Sequence, residues 1–95
     1  MPVEWSRLAL EDIRSLRNFG NARDPNSGTR MAWKVMSTAD RLLSQRKEHG
    51  RTGRVPGTRE LPIPKTPFIA PYRVHAGYIE ILRVYHHSQQ WPEHF

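Results

Sequence analysis

The sequence predicts an α+β fold, with two helices packed as a hairpin against one face of a small, mainly antiparallel sheet in the order β-α-α-β-β-β. Three observations carry this. Ala32, Val35, Met36, Ala39, Leu42 and Leu43 recur at helical spacing and form one apolar stripe. From Gly57 to Trp91, β-branched and aromatic residues come in short runs punctuated by turn residues. Within that stretch Tyr78-Ile79-Glu80-Ile81-Leu82-Arg83-Val84-Tyr85 is the most strand-like segment. It reads as the central strand, with Ile79 and Ile81 on one face and Leu82 and Val84 on the other.

Taken in order, Pro2 to Trp5 reads as a short strand with Val3 and Trp5 sharing a face. Ser6 offers a hydroxyl to cap a helix carrying Ala9, Ile13 and Leu16, with Glu11 and Asp12 near its positive end and Arg14 and Arg17 near its negative end. That helix is expected to stop at Asn18 to Gly20. Asn21 to Gly28 is a polar connection in which either Asp24, followed by Pro25, or Ser27 caps the second helix. The second helix is expected to fray from Gln45 and end at Gly50, and Gly50 to Arg59 reads as a flexible basic loop. Leu61 and Ile63 alternate with Pro62 and Pro64. Prolines two apart remove donors from one side of a strand, which assigns this one to the sheet's edge. A turn at Lys65-Thr66 or Thr66-Pro67 leads into a strand from Phe68 to Val74, where Pro71 predicts a bulge or break. His75-Ala76-Gly77 is a hairpin loop back into the central strand.

Ninety-five residues suggest one domain spanning 1–95, burying a bit over ~60% of the unfolded chain's surface. With no cysteine there is no disulfide framework and no thiolate zinc site. No apolar run approaches the ~18 residues of a membrane helix, and MPVEWSRLALED lacks the order of a signal peptide. The expectation is a cytoplasmic protein with no membrane partner. Its formal charge is +6, and among 15 cations only Lys34, Lys47 and Lys65 are lysines. Arginine suits planar contacts to phosphate or carboxylate, so the partner expected is anionic, a nucleic acid or an acidic protein segment.

Candidate functional residues concentrate in the last half. Arg83 shares a face with Ile81 and Tyr85, where a guanidinium would emerge near the end of a core strand or simply snorkel to solvent. The loop from Gly50 to Arg59 could hold phosphates on its N–H groups and arginines, although it lacks the glycine spacing and Lys-Ser/Thr ending of a P-loop. His86-His87 is a poor metal site, because neighbours on a strand face opposite ways and no carboxylate or cysteine accompanies them. No metal and no cofactor are expected. Trp91, followed by Pro92, packs as a lid on the core or meets a partner.

Val3-Glu4-Trp5-Ser6 with Ala9 and Asp12, then Gly57-Thr58-Arg59-Glu60-Leu61, Thr66-Pro67-Phe68-Ile69, Tyr72-Arg73-Val74, Ile79 to Val84 and His86-His87-Ser88-Gln89-Gln90-Trp91-Pro92 together resemble the ParE side of the RelE/ParE toxin superfamily. The resemblance spans nearly the whole chain and is most specific from Gly57 to Pro92. It implies the same β-α-α-β-β-β fold and a plasmid-stabilising, growth-inhibiting toxin in a bacterial toxin–antitoxin pair. It also implies a hetero-oligomer with a cognate, ParD-like antitoxin whose acidic or amphipathic tail wraps the toxin. Within the superfamily, ParE-like toxins bind DNA gyrase, whereas RelE-like toxins cut messenger RNA on the ribosome. Where RelE-type cations align, this sequence has Glu60, Pro62 and Ile69, which favours the gyrase branch without catalytic residues. The alternative rests on Arg83-Val84-Tyr85-His86-His87, which is similar to the ending of the YoeB-type nucleases and would make Arg59, Arg83, His86 and His87 catalytic. For the ParE-like reading, Arg59, Arg73, Arg83, Tyr85, His86 and Trp91 are the expected partner-binding residues.

Overall fold

In a computed structural model describing residues 1–95, strand β1 (Val3–Trp5) leads through Ser6 into helix α1 (Arg7–Arg23). Ser6 caps as expected, its Oγ accepting from the Ala9 N–H at 3.0 Å. The helix runs past its expected stop, because Gly20 is spent on a close approach and not on a helix end. A Cβ on Gly20 would come within 2.6 Å of Gly28 Cα, so the two glycines let the hairpin close tightly at its loop.

Helix α2 (Ser27–Gln45) starts without either predicted cap. Asn26 takes the N-cap position at φ 67 and makes no side-chain cap bond. The bond comes from across the hairpin, where Asn21 Oδ1 accepts from the Thr29 N–H at 3.0 Å, while Ser27 Oγ donates to the Gly20 carbonyl at 2.9 Å. The apolar stripe is buried as predicted at Ala32, Val35, Ala39, Leu42 and Leu43, with Met36 at its margin. The helix ends at Gln45, short of Gly50.

Strands β2 (Arg51–Thr52), β3 (Arg59–Pro62), β4 (Phe68–His75), β5 (Tyr78–Ile81) and β6 (Tyr85–His86) complete a six-stranded sheet in the order β1-β5-β4-β3-β2, with β6 also on β4. β1 runs parallel to β5, and the other pairs are antiparallel. Two expectations need correcting. The central strand is β4, which pairs with β3, β5 and β6, and not the stretch from Tyr78 to Tyr85. The basic loop contributes β2, which pairs with Arg59 and Glu60, so only the proline-bearing half of β3 lies at the edge.

The Tyr78–Tyr85 stretch breaks because of its neighbour. Ile81 pairs with Tyr72 and Tyr85 with Ile69, so one extra residue is inserted between them. The bulge that Pro71 demands therefore sits on the adjacent segment, between β5 and β6, and β4 runs through Pro71 unbroken. Leu82 N–H donates to the Pro71 carbonyl at 2.9 Å, and proline has no N–H to return. The groups freed from the ladder turn to α1: Ser6 Oγ donates to the Leu82 carbonyl at 2.8 Å, and Asp12 Oδ2 accepts from the Val84 N–H at 2.9 Å. The extra residue also flips the alternation. Val84 joins Ile79 and Ile81 in the core instead of sharing a face with Leu82.

The core of 14 buried residues lies between the hairpin and the sheet face bearing Leu61, Ile63, Ala70, Tyr72, Ile79 and Ile81. Trp5 Nε1 donates to Asp40 Oδ1 at 2.8 Å, tying β1 to α2. No helix is long and apolar enough to cross a membrane.

Candidate functional site

Arg83 leaves the bulge and meets α1. Its Nε and one terminal nitrogen grip the two oxygens of Asp12 at 2.8 and 2.9 Å, and its guanidinium lies 5.0 Å from the Tyr85 ring centre. The Asp12 hydrogen bond raises the Arg83 pKa above its ordinary value against the opposing effect of burial. Burial raises that of the Tyr85 hydroxyl, which the Arg83 charge only partly offsets. Arg83 is thus a clamp between the bulge and α1, and Asp12 is the partner that sequence reasoning missed, 71 residues away.

The face of the sheet turned away from the helices carries a second cluster. Glu60 is buried at 1% exposure and accepts from Arg54 through the backbone N–H at 2.8 Å, Nε at 2.9 Å and a terminal nitrogen at 3.0 Å, with Arg51 adding a contact at 3.3 Å. The Arg54 guanidinium in turn stacks 3.8 Å from the Trp91 ring, and Trp91 leans on Tyr85 at 4.9 Å. Trp91 is therefore a lid on this face, held by a cation bound to a buried acid.

Burial favours the neutral form of Glu60, but the Arg54 and Arg51 bonds outweigh it and the net shift is downward. A carboxyl lowered on folding contributes stability that is present above its unfolded value of about 4.3 and is lost as pH falls through the lowered folded value. Denaturant unfolding of the wild type should show that loss on acidification below about pH 4.3. In Glu60→Gln the curve should be flatter in this range, and an unchanged slope would remove Glu60 from the account.

The remaining candidates lie apart. Arg59 donates to the carbonyls of Glu48 at 3.2 Å and of Gly50. Arg73 stands opposite Glu80 on β5, whose carboxylate is held by His75 Nε2 at 2.9 Å. His86 lies edge-on to Phe68 and against the ring of the exposed His87, and its Nδ1 is 2.8 Å from the Ser88 hydroxyl. Arg83 lines a groove of about 470 Å³ with Leu8, Pro92, His94 and Phe95. His86 lines another of about 420 Å³ with Leu16, Phe19, Phe68, Val84 and Gln89, and Arg59 lines neither. Phosphodiester cleavage needs a cation and an acid/base within hydrogen-bond reach of one phosphate. Arg59, Arg83 and His86 share no such cavity, and no three His, Cys, Asp or Glu side chains gather to hold a metal.

The groove beside His86 carries an exposed aromatic that sequence reasoning missed. Phe19 is 67% exposed and overhangs it from α1. Phe19 falls outside the Ala9, Ile13, Leu16 stripe, which is the signal that could have marked it as a surface aromatic.

The model of the family described as the ParE toxin of the type II toxin–antitoxin system parDE matches residues 3–91. The chain belongs to this ParE toxin family. It is the toxin side of a type II toxin–antitoxin system, whose other side is an antitoxin. Among similar sequences, the toxin candidate Y4kP of Sinorhizobium fredii is 33% identical over 91 residues, 96% of this chain and 93% of that protein. Toxin RelE2 of Caulobacter vibrioides is 29% identical over 84 residues, 88% of this chain and 92% of that protein. A solved structure of the chromosomal ParDE toxin–antitoxin system from P. aeruginosa superposes with a TM-score of 0.83 at 28% identity, covering 90% of this chain and 95% of that one. The ParE-like branch anticipated from the Gly57–Pro92 motifs is thus the family to which the chain belongs.

Proposed function

We propose that this ParE-family toxin arrests growth in the cytoplasm by binding DNA gyrase, and that a cognate antitoxin neutralises it by covering the same surface in a hetero-oligomer. The observation that carries this reading is the dispersal of the would-be nuclease trio. Arg83 is committed to Asp12, Arg59 to the carbonyls of Glu48 and Gly50, and His86 lines a different groove from Arg83. Family membership across residues 3–91 supports the same side. The exposed aromatic of Phe19, beside Leu16 and Phe68, suits an apolar anchor from a partner, while the net charge of +6 suits an acidic antitoxin tail.

Supercoiling by gyrase and cleavage of ribosome-bound message, measured on one toxin preparation, test the choice. The expected result is inhibition of supercoiling that survives His86→Ala, with no ribosomal cleavage. Unaffected supercoiling, together with cleavage that His86→Ala abolishes, would replace this reading with the RelE-like one.

A further inference from the structure

The end of α2 and the segment after it gather exposed cations, most of which have no ion-pair partner in the fold. Arg41 lies on the last turns of α2, Arg46 follows its end, Lys47 comes next and Arg51 opens β2; all are exposed. Glu48 is the one exposed acid among them, since Glu60 is buried beneath Arg54 and Arg51. Arg41, Arg46 and Lys47 have no ion-pair partner. Cations near a helix's carboxyl end offset its dipole only within the last turn, which leaves Lys47 without that explanation, while Arg51 spends one terminal nitrogen on Glu60 at 3.3 Å and stays exposed.

The backbone carrying these charges is held and not loose. The Tyr72 hydroxyl donates to the Lys47 carbonyl at 2.7 Å and accepts from the Gly50 N–H at 3.0 Å, and Arg59 binds the Glu48 carbonyl from below. A held array of cations loses less entropy on meeting a charged partner than a floppy loop does.

The patch contains no apolar anchor. The exposed large hydrophobic side chains, Met1, Leu8, Leu10, Phe19, Trp33 and Phe95, all lie outside residues 41–59. Protein interfaces draw their affinity from such anchors, and single-stranded nucleic acids from aromatic rings that stack on bases. A duplex backbone asks only for spaced cations, and arginines and lysines that touch phosphate carry no base preference. We propose that the end of α2, the following turn and β2 form a contact surface for the phosphate backbone of duplex DNA, independent of sequence. This goes beyond the gyrase reading and does not rest on it, because the contact is measurable on naked DNA.

The test is fluorescence anisotropy of a labelled mixed-sequence duplex titrated with the full-length chain. Four cations (Arg41, Arg46, Lys47 and Arg51) predict that affinity falls roughly a hundredfold between about 50 and 200 mM salt. Arg46→Ala/Lys47→Ala should reduce that dependence to roughly tenfold and weaken binding. Arg14→Ala/Arg17→Ala, which removes the same charge from exposed positions on α1, should leave both nearly unchanged. Arg46→Lys should keep binding, and circular dichroism should show every variant folded. No binding at low salt, equal losses from the two double variants, or displacement of the duplex by single-stranded RNA of the same length would overturn the proposal.

Discussion

Gly28→Ala is expected to be the most destabilising single-methyl change in the protein. A Cβ there would sit 1.9 Å from the Arg17 carbonyl oxygen and 2.7 Å from the Asn21 nitrogen, and both are backbone atoms of α1 with no rotamer to yield. The hairpin can accept the methyl only by opening at its loop. Opening surrenders the bonds from Ser27 to Gly20 and from Thr29 to Asn21. The expected cost is about 3–4 kcal/mol, a fall in Tm of roughly 12–30 °C for a chain of this size. Gly57→Ala is the control. Its φ is +79 but nothing lies within 4 Å of the new methyl, so only the left-handed backbone opposes it, at about 1 kcal/mol. Equal melting temperatures for the two variants would show that the close helix crossing is not what Gly28 provides.

That glycine also shows where the sequence was readable and where it was not. Features fixed by neighbours along the chain were legible: the α2 stripe, the Ser6 cap, the turn at Ala76-Gly77 and the strand character of Phe68 to Val74. Gly20 and Gly28 looked like punctuation, since a glycine demanded by a second helix carries the same local signature as one that ends a helix. The break at Leu82 to Val84 was hidden in a different way. Its one local trace is the shift of apolar parity from Ile79 and Ile81 to Leu82 and Val84, which also fits a strand covered on both faces, and its causes, Pro71 across the ladder and Asp12 on α1, lie far away in sequence. For the site, arginines were singled out as the distinctive chemistry. Which of them are free was not legible, because occupancy depends on partners such as Asp12 for Arg83 and the 48–50 carbonyls for Arg59.

Asp12→Ala should cost about 2–4 kcal/mol, because it leaves two groups stranded at once. The Arg83 side chain, 26% exposed, loses both bonds of its fork, and the Val84 N–H, already freed from the ladder, loses its acceptor. Asp12→Asn keeps an oxygen for Val84 and should recover about half of the loss. Arg83→Ala should be milder than Asp12→Ala, since the aspartate can still serve Val84. A double-mutant cycle in urea should return a coupling of roughly 1–3 kcal/mol between Asp12 and Arg83. Coupling near zero would mean that the clamp contributes nothing and that Arg83 is kept for another purpose, such as a phosphate in the YoeB-type chemistry.

The pairing of β1 with β5 has a consequence for how the toxin comes into being. Ser6 closes on Leu82 across 76 residues, and Val3 on Ile79 across a similar span. The helical hairpin can form from local contacts as it leaves the ribosome, but β1 and the underside of both helices wait for strands that are translated last. At roughly 5–20 residues per second that delay is on the order of 4–15 s. A nascent chain is unarmed throughout it, which gives an antitoxin made alongside a head start measured in seconds.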